Sequence, residues 1–228
     1  MAFRKKAAAV LAYKPDIVVV QECEHPDHLL FDTDTPKPRD TLWFGTNKHK
    51  GLGIFSYGNY RLTLLGNHNP ALRLIVPIAV HRGRFRFTLY AIWANNPDDP
   101  DGQYVEQVWK AIHHYDQQLN NKRTMLAGDF NSNTIWDRKY RAGNHSNVVK
   151  VLAEKGICSA YHLHYNQTQG REEHPTFYLY RHTDKPYHLD YCFISADMAD
   201  KLQSVEIGDY DRWTPLSDHT PVIITFQF

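Results

Sequence analysis

The residues best suited to chemistry in this sequence are acids that stand at the ends of apolar segments. They are Glu22, Asp129, Asp190 and Asp218. Strand ends and the loops beyond them are where a rigid scaffold presents reactive groups. A single acid in such a place is typical of a cap or a turn. Four of them together indicate a shared site.

The spacing around these acids adds partners to them. In Gly-Asp129-Phe-Asn131, a period of two places the acid and the amide on one side and turns Phe130 into the core. In His188-Leu-Asp190 the same period places an imidazole beside the acid. An acid next to a histidine, as in Asp218-His219, can fix the tautomer of the ring and stabilise its charged form.

Convergence of these acids has an electrostatic consequence. Carboxylates that share a site repel one another, so each disfavours the ionised form of its neighbours unless a cation lies between them. Oxygen ligands select hard divalent ions. The sequence therefore predicts Mg²⁺ or Mn²⁺ as the cofactor.

The elements that must position these residues are mostly strands. Residues 16 to 22 are apolar on both faces, which predicts a central strand covered on two sides. Residues 103 to 119 repeat apolar side chains every three or four positions and predict a long helix. Further strands are expected at 51–57, 60–65, 71–80, 84–93, 124–127, 188–194, 205–210 and 221–227. This order predicts two packed sheets with helices on their outer faces.

Composition narrows the class of protein. The chain has 228 residues, of which 42% are hydrophobic and 22% are charged, so it can bury a core and is not a disordered chain. The formal charge of +1 means that polyanion binding needs a local patch. The three cysteines form no CxxC pair, which argues against a disulfide framework and a thiolate zinc site.

Location follows from the same residues. No apolar run approaches the roughly 20 residues that span a bilayer, so no membrane association is expected. The alanine-rich start is interrupted by Lys14 and Pro15, which favours an amphipathic first helix over a signal peptide. We expect a cytoplasmic monomer.

Four segments, taken in order, resemble the endonuclease/exonuclease/phosphatase superfamily, and most closely its exonuclease III-like nucleases. They are Pro15-Asp-Ile-Val-Val-Val-Gln-Glu22, Gly-Asp129-Phe-Asn131, His-Leu-Asp190-Tyr and Ser-Asp218-His219-Thr-Pro-Val. The resemblance runs from about residue 3 to the C-terminus. It implies one domain over residues 1–228, with an α/β fold that is a four-layer α/β/β/α sandwich, and metal-assisted hydrolysis of a phosphate ester.

The resemblance also assigns roles to individual residues. Glu22 resembles the metal-binding glutamate, and Asp129 the acid that activates the attacking water. Asn131 resembles the amide that orients this acid, and Asp190 a second acid near the scissile phosphate. His219, supported by Asp218, resembles the imidazole that stabilises charge on the phosphoryl oxygens. The resemblance thereby implies a metal site at Glu22, Asp129, Asp190 and Asp218.

Two departures from the superfamily pattern are visible. Members usually open with a strand that carries a Trp-Asn-x-Asn-type motif, and this chain begins at what resembles the following helix. We therefore expect a domain without that first strand. Before the long helix, exonuclease III-like members have a Tyr-x-x-Asn pattern that contacts the phosphate. Here the nearest match is Trp93-Ala-Asn95-Asn96. Trp93 cannot supply the hydroxyl of the tyrosine, so the resemblance carries over to Asn96, or alternatively Asn95, and Trp93 and Asn96 are candidate substrate-binding residues.

Other candidate substrate contacts are basic and aromatic. Trp136 and Arg138 follow the Gly-Asp-Phe-Asn motif, and Trp213 precedes Asp218; with His188, they could contact a nucleic-acid strand or pack within the protein. Arg82, Arg84 and Arg86 alternate and predict either a phosphate track or a solvated strand face. His162 and His164 are expected in an aromatic strand, without zinc-like spacing.

These observations lead to a metal-dependent hydrolase that cleaves DNA, either as a 3′-5′ exonuclease or at abasic sites. The near-zero net charge favours an alternative, a phosphatase or phosphodiesterase of a small phosphorylated metabolite. The absent first strand favours a third hypothesis, a catalytically weakened nucleic-acid-binding module. Steep salt dependence of polymer binding would separate the first hypothesis from the second, and measurable turnover with magnesium would exclude the third.

Overall fold

Strands form most of the framework in the computed structural model, which describes residues 3–95, 103–139 and 141–228. The strands are β1 (Ile17–Cys23), β2 (Asp40–Asn47), β3 (Lys50–Ser56), β4 (Arg61–Leu64), β5 (Ile75–Arg82), β6 (Phe85–Trp93), β7 (Thr124–Asp129), β8 (Ile157–Ser159), β9 (Phe177–Tyr178), β10 (Pro186–Tyr187), β11 (Asp190–Ser195), β12 (Leu202–Ile207) and β13 (Val222–Phe226). The α-helices are α1 (Ala7–Leu11), α2 (Val105–His114), α3 (His145–Glu154), α4 (Ala160–Tyr165), α5 (Ala196–Ala199) and α6 (Tyr210–Trp213).

A six-stranded sheet with the order β4-β5-β6-β7-β11-β8 is the largest layer. Its pairs are antiparallel except β6 and β7, which run parallel. A parallel pair needs a crossover connection, and α2 lies in the segment that joins the two strands. The crossover leaves Trp93 at the end of β6 directly beside Asp129 at the end of β7.

The two faces of this sheet are covered differently. On one face, Tyr90 and Leu126 pack against Val108 of α2 and Val148 of α3. The other face packs against a three-stranded sheet, β1-β3-β2, and a two-stranded sheet, β12-β13. Helix α1 covers the outer side of β1 and β3 through Ala7. These layers confirm the predicted α/β/β/α sandwich.

Some predicted elements differ from the observed ones. Strand β1 is apolar and covered on both faces as expected, but among the described residues it pairs only with β3 and lies at a sheet edge. The long helix is shorter than predicted, because α2 ends at His114 and a 3-10 turn follows at Gln118–Asn120. His162 and His164 lie on α4 rather than on a strand.

The arginines at the β5–β6 hairpin do not share one face. Arg82 is the last residue of β5 and pairs with Phe85, whereas Arg86 on β6 pairs with His81. Residues opposite each other share a face and neighbours along a strand do not, so Arg82 and Arg86 lie on opposite faces. Arg84 lies in the turn. The predicted track is therefore interrupted by the turn at Gly83. Among the described helices, none is long and apolar enough to cross a membrane.

Candidate active site

The carboxylate of Asp129 is fixed by Asn131 at the end of β7. The backbone N–H of Asn131 donates to Asp129 Oδ1 at 2.7 Å, and its side-chain Nδ2 donates to Asp129 Oδ2 at 2.8 Å. The same Nδ2 donates to the carbonyl of Ala94 at 2.9 Å. Asn131 has a φ of 47°, a left-handed conformation that asparagine tolerates better than most residues. Phe130 is fully buried and anchors the turn.

Asp190 reaches the same place from the neighbouring strand. It is directly opposite Asp129 in the ladder between β11 and β7. His219 Nδ1 lies 2.9 Å from Asp190 Oδ2, and the His219 ring also packs 4.6 Å from the ring of Phe177. The partner of His219 is thus Asp190 rather than Asp218, which corrects the expected pairing. The reason is that Asp190, the first residue of β11, lies within hydrogen-bond distance of the His219 ring.

Asp129, Asp190 and His219 form a compact group. Each offers one ligand atom, and the three atoms lie within 4.8 Å of one another. Asp129 is buried, with 4% of its surface exposed, while side-chain exposure is 14% for Asp190 and 28% for His219. The group therefore opens to solvent on the His219 side.

Burial and neighbouring charges shift the pKa values of Asp129 and His219. Burial, followed by the charge of Asp190, raises the pKa of Asp129 to about 8, although His219 and the Asn131 amide oppose the shift. Burial lowers the pKa of His219, but the charge and hydrogen bond of Asp190, with Asp129 and Asp218, outweigh it and raise this pKa to about 9. Strongly perturbed groups in a cleft are typical of functional sites.

A β-bulge places Glu22 near this group. The register between β1 and β3 shifts between Val20 and Cys23, and Glu22 has a φ of 55°. Bulges re-aim side chains beside active sites. The Glu22 carboxylate lies 2.6 Å from Lys50 Nζ, and its side chain is 42% exposed. It remains outside the compact group, although its charge contributes to the raised pKa of Asp129.

Asp218 faces the site from the loop before β13. Its backbone carbonyl accepts from the N–H of Tyr178 at 2.8 Å, which fixes the loop. Its charge acts on His219 and on Lys6, whose Nζ donates to Ser217 Oγ at 3.4 Å. Asp218 therefore contributes negative potential to the site and does not hold the imidazole.

Comparisons with known proteins identify the fold. No family model and no curated protein matches the sequence. Among solved structures, the 3′-5′ exonuclease NExo from Neisseria meningitidis is 21% identical and has a TM-score of 0.67, and the alignment covers 100% of this chain and 96% of that chain. NExo is also described as a 3′ phosphatase bound to a product DNA hairpin, again at 21% identity and a TM-score of 0.67, with coverage of 99% and 95%.

An AP endonuclease from Archaeoglobus fulgidus has a TM-score of 0.67 at 14% identity, with coverage of 100% of this chain and 96% of that chain. Such likeness along the whole chain identifies the architecture. The chain has the endonuclease/exonuclease/phosphatase fold.

The carboxylates of the candidate site, Asp129 and Asp190, suit a hard divalent cation as ligands. Two carboxylates lie directly opposite each other in a ladder, and burial, followed by the charge of Asp190, raises the pKa of Asp129. Carboxylate oxygens are the ligands that Mg²⁺ and Mn²⁺ prefer. Asp129 and Asp190 are positioned to hold such an ion, and Glu22 and Asp218 remain predicted ligands beside them.

Two predicted substrate-binding residues line an open cavity next to the site. Trp136, 45% exposed, packs against Tyr187 at 4.9 Å between ring centroids, and Arg138 is exposed. Both border a cavity of about 380 Å³ that Asn131 also lines. An aromatic ring and a guanidinium in a cavity that reaches Asn131 suit a base and a phosphate.

Three other residues that were predicted to contact the substrate have buried side chains. Trp93 is 5% exposed and packs between the sheets, and Trp213 is 1% exposed. His188, 3% exposed, donates from Nδ1 to the His174 carbonyl and packs 4.4 Å from the ring of Tyr161. These three side chains therefore do not face a substrate in this structure. Asn96 lies outside the described residues.

Sequence reasoning missed a polar network behind the site. Asn133 Nδ2 donates to Glu172 Oε2, the His188 carbonyl and the Tyr191 hydroxyl, each at 3.1 Å. His162 Nε2 lies 3.0 Å from Glu172 Oε1. The network ties the loop after β7 to the start of β11, the elements that carry Asp129 and Asp190. No spacing signal reveals it, since its members come from four separate segments.

Glu172 should make stability depend on pH in the acid range. Burial raises its pKa, but hydrogen bonds from His162, the Gly170 amide and Asn133 outweigh it and lower the pKa to about 2. A depressed carboxyl pKa stabilises the fold above the unfolded value, 4.5, and this contribution is lost as the pH falls toward 2. Glu172→Gln should cost on the order of 2 kcal/mol at pH 7 and about half of that or less at pH 3.

Urea unfolding at both pH values measures this difference. Glu173→Gln is the matched control, because Glu173 is the exposed neighbour. An equal loss at pH 7 and pH 3 for Glu172→Gln would show that shape, not charge, stabilises this network.

Proposed function

We propose that the chain is a divalent-metal-dependent phosphodiester hydrolase that acts on DNA. The observation that carries this proposal is the convergence of Asp129, Asn131, Asp190 and His219 on one point at the ends of β7 and β11. Phosphoryl transfer needs a positioned nucleophile and positive charge on the phosphoryl oxygens. These four side chains supply both.

Each residue has a distinct role in the proposed reaction. A bound cation would offset the burial and the charge of Asp190 that raise the pKa of Asp129, so that its ionised carboxylate can accept the proton of the attacking water, and Asn131 holds the carboxylate in place through two hydrogen bonds. His219, with a pKa raised to about 9, is protonated at neutral pH and donates to a phosphoryl oxygen. Asp190 orients the imidazolium. A bound divalent ion would supply Lewis-acid stabilisation of the phosphoryl charge.

His219→Ala tests the role of the imidazolium. Turnover should fall by about a hundredfold or more, and substrate affinity should change only a few fold, because the interaction strengthens as charge develops in the transition state. Steady-state kinetics with saturating Mg²⁺ measures both quantities. His164→Ala, an exposed histidine on α4, is the control. A collapse of affinity with intact turnover would make His219 a binding residue.

DNA is favoured as the substrate by the cavity beside the site. Trp136 can stack on a base and Arg138 can pair with a phosphate, and both lie next to Asn131. NExo is a 3′ phosphatase with a known structure bound to a product DNA hairpin, and the Archaeoglobus fulgidus protein is an AP endonuclease. A 3′-5′ exonuclease or an abasic-site endonuclease is therefore the first proposal. Cytoplasmic location and a monomeric state stay predictions of the sequence.

A phosphatase of a small phosphorylated metabolite is the alternative. The cavity of about 380 Å³ is of the size that holds small ligands, and the net charge of +1 gives no general attraction to polyanions. A catalytically weakened nucleic-acid-binding module is the third reading. The predicted ligand Glu22 is paired with Lys50 and outside the compact group, which supports this reading.

One set of incubations distinguishes these functions. Labelled single-stranded, duplex, abasic-site and 3′-phosphorylated DNA are each incubated with Mg²⁺, Mn²⁺ or excess chelator. We expect cleavage with either metal and none with chelator. Stepwise shortening from the 3′ end indicates the exonuclease, and a single cut at the abasic site indicates the endonuclease. Full activity in chelator would contradict the proposal, and DNA binding without turnover would support the weakened module.

A further inference from the structure

A row of three basic side chains crosses the six-stranded sheet at the end remote from the active site. Arg61 on β4 is directly opposite His81 on β5, and His81 is directly opposite Arg86 on β6. Side chains directly opposite each other share a face, with Cβ atoms about 5 Å apart. We call Arg61, His81 and Arg86 the basic row.

The basic row is open to solvent and has no compensating acid in contact. Arg61 and Arg86 are exposed and His81 is half-exposed. None of the ion pairs between described residues involves the basic row. The flanking carboxylates serve the backbone instead: Asp40 accepts from the Leu62 N–H and Asp197 from the Arg123 N–H. Arg61 and Arg86 are thus two unpaired positive charges on one face of the sheet, with one strand between them.

Further cations lie at the same end of the sheet, on its opposite face or in the turns. The guanidinium of Arg82 lies 4.7 Å from the ring centroid of Tyr60, and that of Arg123 lies 5.1 Å from that of Phe85. Such cation–π contacts hold a charge in place without neutralising it. Arg84 in the turn and Lys122 before β7 are also exposed. This end of the molecule is therefore strongly positive although the net charge of the chain is only +1.

We propose that the basic row binds the phosphate backbone of a DNA strand at a second site, separate from the active site. Two unpaired arginines on one face, with a histidine between them, can each pair with a phosphate of a phosphodiester chain, and an anion there would offset their charge. The row lies seven residues along β6 from Trp93, or roughly 23 Å from the level of Asp129. Phosphates bound there cannot reach the catalytic carboxylates.

The test measures binding without hydrolysis. A fluorescent 30-nucleotide single strand is titrated in chelator over a salt series with the wild type and with the triple variant Arg61→Gln, His81→Gln, Arg86→Gln. Each arginine that contacts a phosphate should contribute about 0.7 to the slope of log affinity against log salt. We therefore expect the slope to fall by about 1.4 in the variant, with affinity near 0.1 M salt lowered about tenfold.

Two controls make the result specific. The double variant Lys150→Gln, Lys201→Gln removes the same formal charge from exposed positions outside the basic row and should keep the wild-type slope. Hydrolysis of a four-nucleotide DNA should be equal in the triple variant and the wild type. The melting temperature of the triple variant should equal or exceed that of the wild type, since repulsion has been removed.

Equal slopes for the triple and double variants would overturn the second site. Such a result would assign the row to another partner, such as an acidic protein surface, or to solvent alone. Binding is measured in chelator, so it does not depend on nuclease activity. If the wild type shows no hydrolysis with metal but the triple variant still binds DNA less tightly than the wild type, the proposed function is refuted and the second site is retained.

Discussion

Asp129→Asn should lower turnover about a thousandfold while the protein stays folded. The substitution keeps the shape of the side chain but removes the group that accepts the proton of the attacking water, and general-base catalysis typically contributes 10²- to 10⁴-fold. Single-turnover hydrolysis of labelled DNA with Mg²⁺ measures the loss. Asp184→Asn, at a side chain that is 76% exposed, is the control and should have wild-type activity.

Asp129→Asn should also alter the pH dependence of stability without metal. Burial, followed by the charge of Asp190, raises the pKa of Asp129 to about 8, so the folded state keeps a proton that the unfolded state releases near pH 4. The wild type should therefore lose stability as the pH rises from about 4 to about 8. The variant should lack this part of the slope. Parallel slopes for both proteins would show that Asp129 is ionised throughout and would contradict the assigned burial effect.

Gly128→Ala should have the largest effect on stability. A Cβ at this position would lie 2.0 Å from the carbonyl oxygen of Ile92 and 2.6 Å from Gln21 Nε2, and Gly128 has a φ of 141° that side chains rarely adopt. Both obstacles lie on neighbouring strands, β6 and β1, so β7 cannot move aside alone. We expect a loss of at least about 3 kcal/mol, which for a chain of this size lowers the melting temperature by roughly 6–12 °C.

Thermal unfolding followed by circular dichroism tests this expectation. Gly66→Ala is the matched control, since a Cβ there meets no atom within 4 Å. If Gly128→Ala is too unstable to purify, its soluble yield beside that of Gly66→Ala gives the same comparison. Equal melting temperatures for the two variants would mean that β7 can move away from β6 to accommodate the new Cβ with little loss of stability.

The sandwich could be predicted from the sequence because its strands carry strong local signals. The apolar residues of β1 and the alternation in β5 and β6 each indicate their type without tertiary information. The meeting of Asp129 and Asp190 could be expected too, since both stand at strand ends. Strand β1 was wrongly expected to be central, because apolarity on both faces reports coverage by other layers and not the number of strand neighbours.

Partner choice within the site could not be predicted. Asp218 is adjacent to His219 in sequence, yet Asp190 holds the imidazole, because the register of β11 against β7 decides which acid faces it. Likewise, Trp136 is exposed and Trp213 buried although both are aromatic residues near acidic motifs. The local sequence does not show which of the two tryptophans is buried, because burial depends on tertiary packing.

The position of Asp190 opposite Asp129 has a consequence for folding kinetics. The two acids are distant in sequence, and their strands meet only when the segment between them, which carries α3 and α4, has closed into a loop. Contacts of high sequence separation form slowly, because the entropy of loop closure must be offset first. Catalytic competence should therefore appear late in refolding, in step with the slowest phase seen by tryptophan fluorescence. A burst of activity ahead of that phase would mean that the acids meet in a partly folded intermediate.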